Sequence, residues 1–302
     1  LFGQADGIPG DFKFDLGPTF FLYPRILEEL FAMCGDDLHR RVEMVRLDPQ
    51  YRLLFENQPG AGSPIDVQLD CTADIERMVQ QIAQLNVEDA QRFPKFVEDN
   101  RKKFAAFTPI LQKDWGSLSA LADPSLMEML PLVRPWASVD ADLKRYFKDP
   151  RVRLAFSFQS KYLGMSPYDC PSLFTILPFI EYAYGIWHPK GGCHGLMLAM
   201  ARVAEELGVE IKTDTSVDSI TFAGKKATGL VVNGEHVAHD KVVVNADAAH
   251  AMKTLIPEQL RTSRHSDASL DKMRYSCSTY MLYLGVDGVV DQPHHTIYTS
   301  TK

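Results

Sequence analysis

A glycine pair, Gly191-Gly192, stands where a helix begins in the segment WHPKGGCHGLMLAMARVAEELGVEI, which runs from Trp187 to Ile211. Backbone N–H groups at a helix N-terminus attract phosphate, and glycine lets a ligand approach the backbone closely. The helix leads into a short β-type run, which is the layout of half a nucleotide-binding unit. Because Gly-rich turns before helices are common, the pair does not by itself distinguish a phosphate site from an ordinary helix start.

Other residues that could do chemistry form no recognisable catalytic set. The chain has no GxGxxG loop and no GxSxG nucleophile turn. Its nine histidines are spaced in ways that predict surface or core imidazoles and no metal site. Asp149 and Arg153 have the i, i+4 spacing of a helix-surface salt bridge, and a functional role would require both to face a pocket.

Nine aromatic residues crowd the segment between Phe156 and Trp187, whereas aromatic residues make up 10% of the whole chain. For any one of these rings, a place in the core is the expected outcome. As a group, they could equally line an apolar pocket. Four of them are our candidate substrate contacts: Phe156, Tyr162, Phe174 and Tyr184.

The elements that would position these residues follow from the spacing of apolar side chains. A helical face starting at Ile26 predicts a helix that ends at Gly35. Residues 72–148 are predicted to be mostly helical. Short strands are predicted over Val45–Leu47, Tyr51–Phe55 and Ile65–Leu69.

From Gly191 onward the pattern predicts an α/β region. Apolar residues at 196, 200, 203 and 207 share one helical face, and Gly208 is expected to end that helix. We predict that the helix packs on a sheet containing Val209–Lys212 and Lys241–Val244. Asn233-Gly234, between alternating apolar residues, predicts a β-hairpin.

Composition and charge limit the function classes. The 302 residues include 45% hydrophobic and 24% charged residues, with a net charge of −7 and a pI near 5.7. An acidic chain argues against a general nucleic-acid binder, which needs a basic face. Five cysteines without CxxC spacing argue against a disulfide framework or a structural zinc site, and favour a reducing compartment. No apolar run reaches the ~18–20 residues of a membrane-spanning helix.

Four segments, in order and at suitable spacing, carry a family resemblance: FKFDLGPTFFLYPRILEELFAMCG, DPRVRLAFSFQSKYLGMSPYDCPSLFTIL, GIWHPKGGCHGLMLAMARVAEELGVEI and VVVNADAAH. Together they resemble the bacterial and fungal phytoene desaturases, FAD-dependent carotenoid desaturases related to the amine oxidase flavoproteins. The resemblance covers nearly the whole chain. FDLGPT, and PKGG with its following helix, are its most specific parts.

The resemblance implies an α/β fold in which an FAD-binding, Rossmann-like domain accompanies a mixed helix and sheet substrate domain. Residues 1–24 and 183–255 would belong to the FAD-binding domain, and residues 25–182 and 256–302 to the substrate domain. The FAD-phosphate fingerprint of the family would lie upstream of Leu1, and a flavin-contacting segment would lie beyond Lys302. We therefore expect the FAD-binding domain to be incomplete and the chain to be an internal fragment.

The resemblance also implies cofactor contacts, whereas it leaves the catalytic residues unknown. Gly17 and Pro18 would pass close to the flavin, and Gly191 and Gly192 would open a helix of the FAD-binding domain. Val217 would present backbone groups to adenine. The run of Asn245, Ala246 and Asp247 would end the strand beside the pyrophosphate.

The implied reaction is desaturation of a long isoprenoid such as phytoene, in which the flavin accepts hydride and the substrate also loses a proton. Such a substrate has no polar handle and resides in membranes, so an aromatic-lined tunnel and a peripheral membrane position in the cytoplasm are expected. The broken apolar helices between Phe104 and Trp136 are the candidate membrane contact. A homo-oligomer is left open, and no nucleic-acid partner is expected.

Other activities fit the same scaffold. The chain could belong to a carotenoid isomerase or oxidase, to a squalene-type dehydrogenase, or to a non-catalytic protein that binds isoprenoids with a flavin fold. The sequence does not give the length of the substrate, the number of desaturation steps or the final electron acceptor.

Because the resemblance places the FAD-phosphate loop upstream, we predict that these 302 residues, expressed without flanking sequence, do not retain FAD. The measurement is flavin fluorescence after heat release of bound cofactor, with the longer gene product as the control. Stoichiometric FAD on the 302-residue chain would contradict the expectation of an incomplete FAD-binding domain.

Overall fold

The computed structural model of the protein describes residues 14–57, 63, 65–111, 130–276 and 278–300. These residues form two compact units. The first comprises the chain up to Leu207 together with the residues that follow Ser276, and the second is Gly208–Ser276. Helices and small sheets occur in both, in agreement with the predicted mixture of helix and sheet. The predicted division into FAD-binding and substrate domains stays a prediction.

The first unit contains most of the regular elements. In chain order they are α1 (Arg25–Met33), α2 (Leu38–Arg41), β1 (Met44–Arg46), β2 (Tyr51–Glu56), β3 (Ile65–Cys71), α3 (Ile75–Ala83), α4 (Val87–Leu111), α5 (Val139–Leu143), α6 (Pro150–Ala155), α7 (Ile176–Tyr184), β4 (Trp187–Pro189), α8 (Cys193–Glu206) and β8 (Thr296–Thr299). Two 3-10 segments, Phe158–Leu163 and Ser172–Thr175, connect α6 to α7. The three strands predicted between residues 45 and 69 are confirmed within a few residues.

Strand β2 is the centre of a three-stranded sheet. It pairs antiparallel with β3 and parallel with β8, so that Leu53 lies opposite both Leu69 and Ile297. Its residues alternate between buried and half-buried positions, as the period of two along a strand requires. Strands β1 and β4 form a separate antiparallel pair, in which Val45 lies opposite His188.

The core of the first unit is built largely from aromatic side chains. Phe93 and Phe96 of α4 are fully buried, and their ring centroids both lie 5.3 Å from the ring of Phe156. The ring of Phe147 stacks on Phe156 at 5.1 Å. Interlocked rings of this kind contribute beyond the area that they bury, so the stack fixes the position of the segments before and after it.

A smaller cluster holds α8 against α1 and α2. Leu196, Ala199 and Val203 of α8 are buried together with Phe31 and Leu38. Both predicted helix ends are confirmed. Gly35 has φ +76° and Gly208 has φ +89°, a backbone region that glycine occupies without steric cost.

The second unit contains an antiparallel sheet of β5 (Val217–Ala223), β6 (Lys226–Val232) and β7 (Glu235–Ala238), followed by α9 (Ala248–Leu255) and α10 (Asp267–Leu270). The predicted hairpin at Asn233-Gly234 is confirmed. Both residues have positive φ, 52° and 80°, as a tight turn between β6 and β7 requires.

The predicted strands Val209–Lys212 and Lys241–Val244 are wrong for this structure. Both runs carry no ladder hydrogen bonds, and Val243 is 92% exposed. Within the first unit, the apolar surface of α8 packs on α1 and α2. β-branched residues indicate that a run can join a sheet, but a strand forms only where a neighbouring strand lies in register.

No helix in the described ranges combines the length and the apolar character needed to cross a bilayer. The candidate membrane contact between Phe104 and Trp136 lies largely outside the described residues, which omit 112–129. It stays a prediction.

The aromatic core gives a direct stability test. Phe96→Ala should lower the free energy of unfolding by about 3–5 kcal/mol, because it opens a cavity beneath fully packed rings. Met33, 85% exposed on α1, is the control, and Met33→Ala should change stability by no more than about 0.5 kcal/mol. Chemical denaturation measures both. Equal losses for the two variants would contradict the assignment of Phe96 to the core.

Candidate functional site

The two most specific sequence motifs meet at the N-terminus of α8. The carboxylate of Asp15, from FDLGPT, accepts hydrogen bonds from the backbone N–H of Cys193, at 2.9 Å, and of His194, at 3.4 Å. Gly192, in PKGG, has φ +84°, and a Cβ built there would lie 3.0 Å from both carboxylate oxygens. Glycine is therefore required at 192 both by the backbone conformation and by the approach of Asp15.

This contact changes the interpretation of the Gly191-Gly192 pair as a phosphate site. A carboxylate at a helix N-terminus satisfies free N–H donors and complements the helix dipole. Two of the donors that the sequence pattern offers to a phosphate are therefore already bound by Asp15. A second anion at the same place would be repelled. The assignment of Gly191 and Gly192 as cofactor contacts stays a prediction.

The Gly17-Pro18 turn lies just after Asp15 and is exposed. A Cβ built on Gly17 would meet no atom within 4 Å, and the same holds for Gly191. Both positions thus border open space. The turn is anchored by Thr19, whose carbonyl oxygen accepts a hydrogen bond from Nδ1 of His188 at 2.7 Å.

Two histidines bond to Thr19 and a third contacts both of them, and together they form what we call the histidine cluster: His188, His295 and His294. The hydroxyl of Thr19 lies 2.7 Å from Nε2 of His295, and the Nδ1 atoms of His294 and His295 are 2.8 Å apart. Burial, with the neighbouring histidines adding to it, lowers the pKa of His295 to about 4, so its ring is neutral at neutral pH. Within the described residues, no set of three or more His, Cys, Asp or Glu side chains could hold a metal ion.

An aromatic wall, formed by Phe20, Phe158 and Tyr162, adjoins the histidine cluster. The ring of Phe20 makes edge contacts with His295, at 4.6 Å between centroids, and with Tyr162, at 6.1 Å. Tyr162 is 39% exposed. Nζ of Lys161 lies 5.0 Å from the ring centroid of Phe158, within the range of a cation–π contact. The wall therefore offers an apolar surface with one ammonium group at its edge.

Behind this wall lies a buried carboxyl group, Glu181 of α7, with no exposed surface. Its Oε2 accepts hydrogen bonds from Tyr51 and Gln159, and its Oε1 accepts one from Tyr162. Burial raises the pKa of Glu181 from its ordinary value of 4.5 to about 7, because the three hydrogen bonds and Lys161 offset only part of the desolvation. Glu181 can therefore exchange a proton near neutral pH.

The four predicted substrate contacts lie in different surroundings. Phe156 is fully buried in the aromatic core, where it packs against other rings. Phe174 is half-buried at the edge of that core. Tyr162 belongs to the aromatic wall, and Tyr184, 36% exposed, contacts Tyr23 at 4.6 Å. Of the four, only Phe156 is fully buried in the core, so the apolar tunnel stays a prediction.

The cofactor residues predicted after Leu207 lie in the second unit. Val217 begins β5 and is exposed. Asn245 and Ala246 are also exposed, and the carboxylate of Asp247 caps α9 by accepting a hydrogen bond from the backbone N–H of His250 at 2.8 Å. Their contacts with adenine and pyrophosphate stay a prediction.

The neighbouring pair Asp149 and Arg153 does not form the i, i+4 salt bridge that its spacing predicts. Asp149 caps α6 and pairs with Arg151 at 2.9 Å, and Arg153 donates to the carbonyl oxygen of Lys148. Asp149 and Arg151 border a cavity of about 630 Å³ between α6, β2 and β8. The lining of that cavity includes none of the four predicted substrate contacts.

Sequence reasoning missed Asp15, Thr19, His188, His295 and Glu181. Asp15 carried a usable signal, since it stands inside the specific motif FDLGPT. The other four come together only through contacts between residues far apart in the chain, such as Thr19 with His295. No local pattern in the sequence predicts such a contact.

Comparison with known proteins places these features in a family. Residues 3–281 match the family of flavin containing amine oxidoreductases. The chain is 39% identical over 288 residues to a 4,4'-diapophytoene desaturase (4,4'-diapolycopene-forming) from Methylomonas sp, covering 95% of this chain and 54% of that protein. It is 35% identical over 302 residues to an all-trans-zeta-carotene desaturase from Myxococcus xanthus, covering 99% and 55%.

A zeta-carotene-forming phytoene desaturase from Myxococcus xanthus is 32% identical over 285 residues, covering 94% of this chain and 52% of that protein. The chain thus spans about half the length of the curated relatives that it matches. The names of these relatives confirm the resemblance to carotenoid desaturases, and the family description confirms that a flavin is the expected cofactor. Because the family match extends over most of its residues, the chain belongs to the flavin-containing amine oxidoreductases.

Proposed function

We propose that the protein to which this chain belongs is an FAD-dependent desaturase that removes hydrogen from C–C bonds of a long isoprenoid such as phytoene. Family membership and the desaturase names of its similar relatives support this reaction class. The structural observation that carries the proposal is the aromatic wall beside the Gly17-Pro18 turn. It supplies an apolar surface at the place where the family resemblance puts the flavin.

The first unit suits the ring end of a flavin better than its phosphates. Gly17 and Gly191 leave open space beside the backbone, which a flat group could occupy. Asp15 occupies the α8 N-terminus and would repel a pyrophosphate there. We therefore assign Gly17, Pro18 and the Gly191-Gly192 pair to the isoalloxazine and ribityl side. In the Rossmann-like arrangement that the family implies, Val217 and residues 245–247 would serve the adenine and pyrophosphate side.

When bound, FAD supplies the hydride acceptor, and the residues of this chain supply position and a dry environment. The neutral ring of His295 and the rings of Phe20 and Tyr162 present no net charge to a polyene. Tyr184 and Phe174 would extend the apolar contact. Phe156 would act from behind, by fixing the wall through the aromatic core.

The substrate class also supports a peripheral membrane position, because a long isoprenoid partitions into lipid. The enzyme would then extract its substrate from the bilayer surface through the apolar segments between Phe104 and Trp136. A cytoplasmic, membrane-associated protein, alone or as a homo-oligomer, is the form that we propose.

Desaturation is tested with the intact gene product, purified with its flavin and mixed with liposomes that contain phytoene. We expect the flavin absorbance to bleach without oxygen and a product with more conjugated double bonds to form. Product with an unchanged hydrogen count would instead indicate an isomerase, and an oxygenated product an oxidase. A flavin that never bleaches would indicate a binding protein and would overturn the proposal.

Substrate contact is tested in the same assay by Tyr184→Ala. Loss of one half-exposed ring should raise KM for the polyene about tenfold, since full burial of an aromatic side chain is worth roughly 1.5–3 kcal/mol. Tyr168→Ala is the matched control, because Tyr168 lies in the same aromatic segment but is 71% exposed, and its KM should stay within about twofold. Equal KM values for both variants would remove Tyr184 from the substrate site.

A further inference from the structure

We propose that Tyr162 and Glu181 form a proton relay, in which Tyr162 takes the proton that the substrate loses and Glu181 stores it. The relay rests on the proposed desaturation, which releases one proton for each double bond formed. The aromatic segment predicts Tyr162 as a substrate contact, but neither the sequence motifs nor the names of the relatives assign a proton-transfer role to either residue.

The first observation is the hydrogen-bonded chain itself. The hydroxyl of Tyr162 donates to Oε1 of Glu181 at 3.3 Å. The other carboxylate oxygen, Oε2, accepts from Tyr51 at 3.0 Å and from Gln159 at 2.9 Å. Within the described part of the chain, Tyr162 is the donor to Oε1, which leaves that oxygen available to receive a proton.

The second observation is which of these hydrogen-bonded residues reaches the protein surface. Tyr51 is 2% exposed and Gln159 is 1% exposed, so neither connects Glu181 to the outside. Tyr162 is 39% exposed and stands in the aromatic wall next to Phe20. Among the hydrogen-bond partners of the carboxyl group that the structure describes, Tyr162 is the one whose ring reaches the proposed substrate side, with its hydroxyl at the buried end of the side chain.

The third observation is that the site accommodates both protonation states of Glu181. All three donors to the carboxylate within the described residues are neutral side chains, so no fixed cation forces the group to stay ionised. The groups that face it are Tyr51 from β2, Tyr162 and the Lys161 ammonium from the 3-10 segment, and Tyr182 of α7, which lies toward Cys71 of β3. A pKa near 7 for Glu181 agrees with this balance.

Gln159 can adapt to a proton on the other carboxyl oxygen. Its Oε1 is buried and accepts no hydrogen bond from the described residues, while its Nε2 faces Oε2 of Glu181. Rotation of the amide by half a turn would place Oε1 where Nε2 now lies. That rotation would let Gln159 accept from a carboxylic acid protonated at Oε2, and it would remove the present bond from Nε2 to the carbonyl oxygen of Ala155. A proton on Oε1 of Glu181 instead faces the hydroxyl oxygen of Tyr162.

When bound, the oxidised flavin would accept hydride from one substrate C–H bond, and the adjacent C–H bond would break to leave its electron pair in the new C=C bond. The proton from that second bond goes to Oη of Tyr162, as Tyr162 passes its own proton to Oε1 of Glu181. The substrate loses two electrons and two hydrogens, and Glu181 changes from carboxylate to carboxylic acid.

The test compares Glu181→Gln and Tyr162→Phe in the intact, flavin-loaded protein. Glu181→Gln keeps the shape of the side chain but cannot take up a proton, and Tyr162→Phe keeps the ring of the wall but removes the hydroxyl. Tyr51→Phe is the matched control, because it removes a hydrogen bond to the same carboxyl group without interrupting the route. The rate measured is anaerobic flavin reduction by phytoene in liposomes.

We expect Glu181→Gln and Tyr162→Phe to slow flavin reduction about a hundredfold or more, which is the range of proton-transfer catalysis. Tyr51→Phe should slow it less than about tenfold. The wild-type rate should fall as pH drops through about 7, since Glu181 must be ionised to accept the proton. That limb should move to higher pH in Tyr51→Phe, where the ionised form loses a hydrogen bond, and disappear in Glu181→Gln.

Two further readouts do not depend on turnover. In infrared spectra without substrate, the wild type should gain a carboxylic acid band as pH falls through about 7, and Glu181→Gln should lack it. The folded pKa of Glu181 lies above the ordinary value of 4.5, so the native state retains a proton that the unfolded chain releases between these values. This group's contribution to stability should therefore fall as pH rises through that window, and the fall should be absent in Glu181→Gln.

The outcomes separate the relay from the proposed function. If no polyene reduces the flavin of the wild type, the proposed desaturase function is wrong, and the relay is wrong with it. If the wild type desaturates phytoene but Tyr162→Phe and Glu181→Gln match Tyr51→Phe in rate and keep the acid limb, the relay is wrong and Glu181 is a packing residue. Should Glu181→Gln not fold, the half-exposed Tyr162→Phe variant decides the question through its rate and pH profile.

Discussion

The contact between Asp15 and the N-terminus of α8 determines where the candidate site can lie. It joins a loop near the start of the chain to a helix almost 180 residues later, through two backbone N–H donors. The Gly17-Pro18 turn follows Asp15 directly, and Thr19 after it bonds to His188 and His295 of the histidine cluster. Gly192 is part of the same constraint, since any side chain at this position would displace the carboxylate. The interaction also sets the sign of the local charge, because it leaves a negative group where the sequence pattern suggested a phosphate.

The aromatic core holds the other side of the site. Phe156 packs between rings of α4 and the segment before α6, and the 3-10 segment that carries Tyr162 follows it directly. Displacement of Phe156 would therefore shift the aromatic wall and loosen the hydrogen bonds of Gln159 and Tyr162 to Glu181. A residue that sequence reasoning assigned to substrate contact can in this way govern the site without touching a substrate.

The sequence predicts what depends on neighbouring residues and fails where contacts are distant. Apolar spacing and turn glycines located α1, α8 and the hairpin at Asn233-Gly234, because helix ends and tight turns are decided by backbone conformation over a few residues. The same reasoning placed strands at Val209–Lys212 and Lys241–Val244, where the described residues offer no partner strand. Most residues of the candidate site could not be predicted from the sequence. Asp15 and Thr19 acquire their roles from partners more than a hundred residues away, and Glu181 from one distant partner, Tyr51, and two about twenty residues away.

Two buried carboxyl groups in the first unit, those of Asp142 and Glu181, have different hydrogen-bond partners. Asp142 is met by Lys103 at 3.0 Å, and by Arg134 and Arg145, and Lys103 donates in addition to Ser172 and Thr175. Each buried charge of this network therefore has a partner of opposite charge and further hydrogen bonds. Glu181 is buried as deeply, yet its described donors are neutral hydroxyl and amide groups. Burying a carboxylate without a paired cation destabilises the fold at neutral pH, and uncompensated groups of this kind concentrate at functional sites. That contrast within one compact unit is the physical reason for placing the chemistry beside Glu181 and not at the ion-pair network.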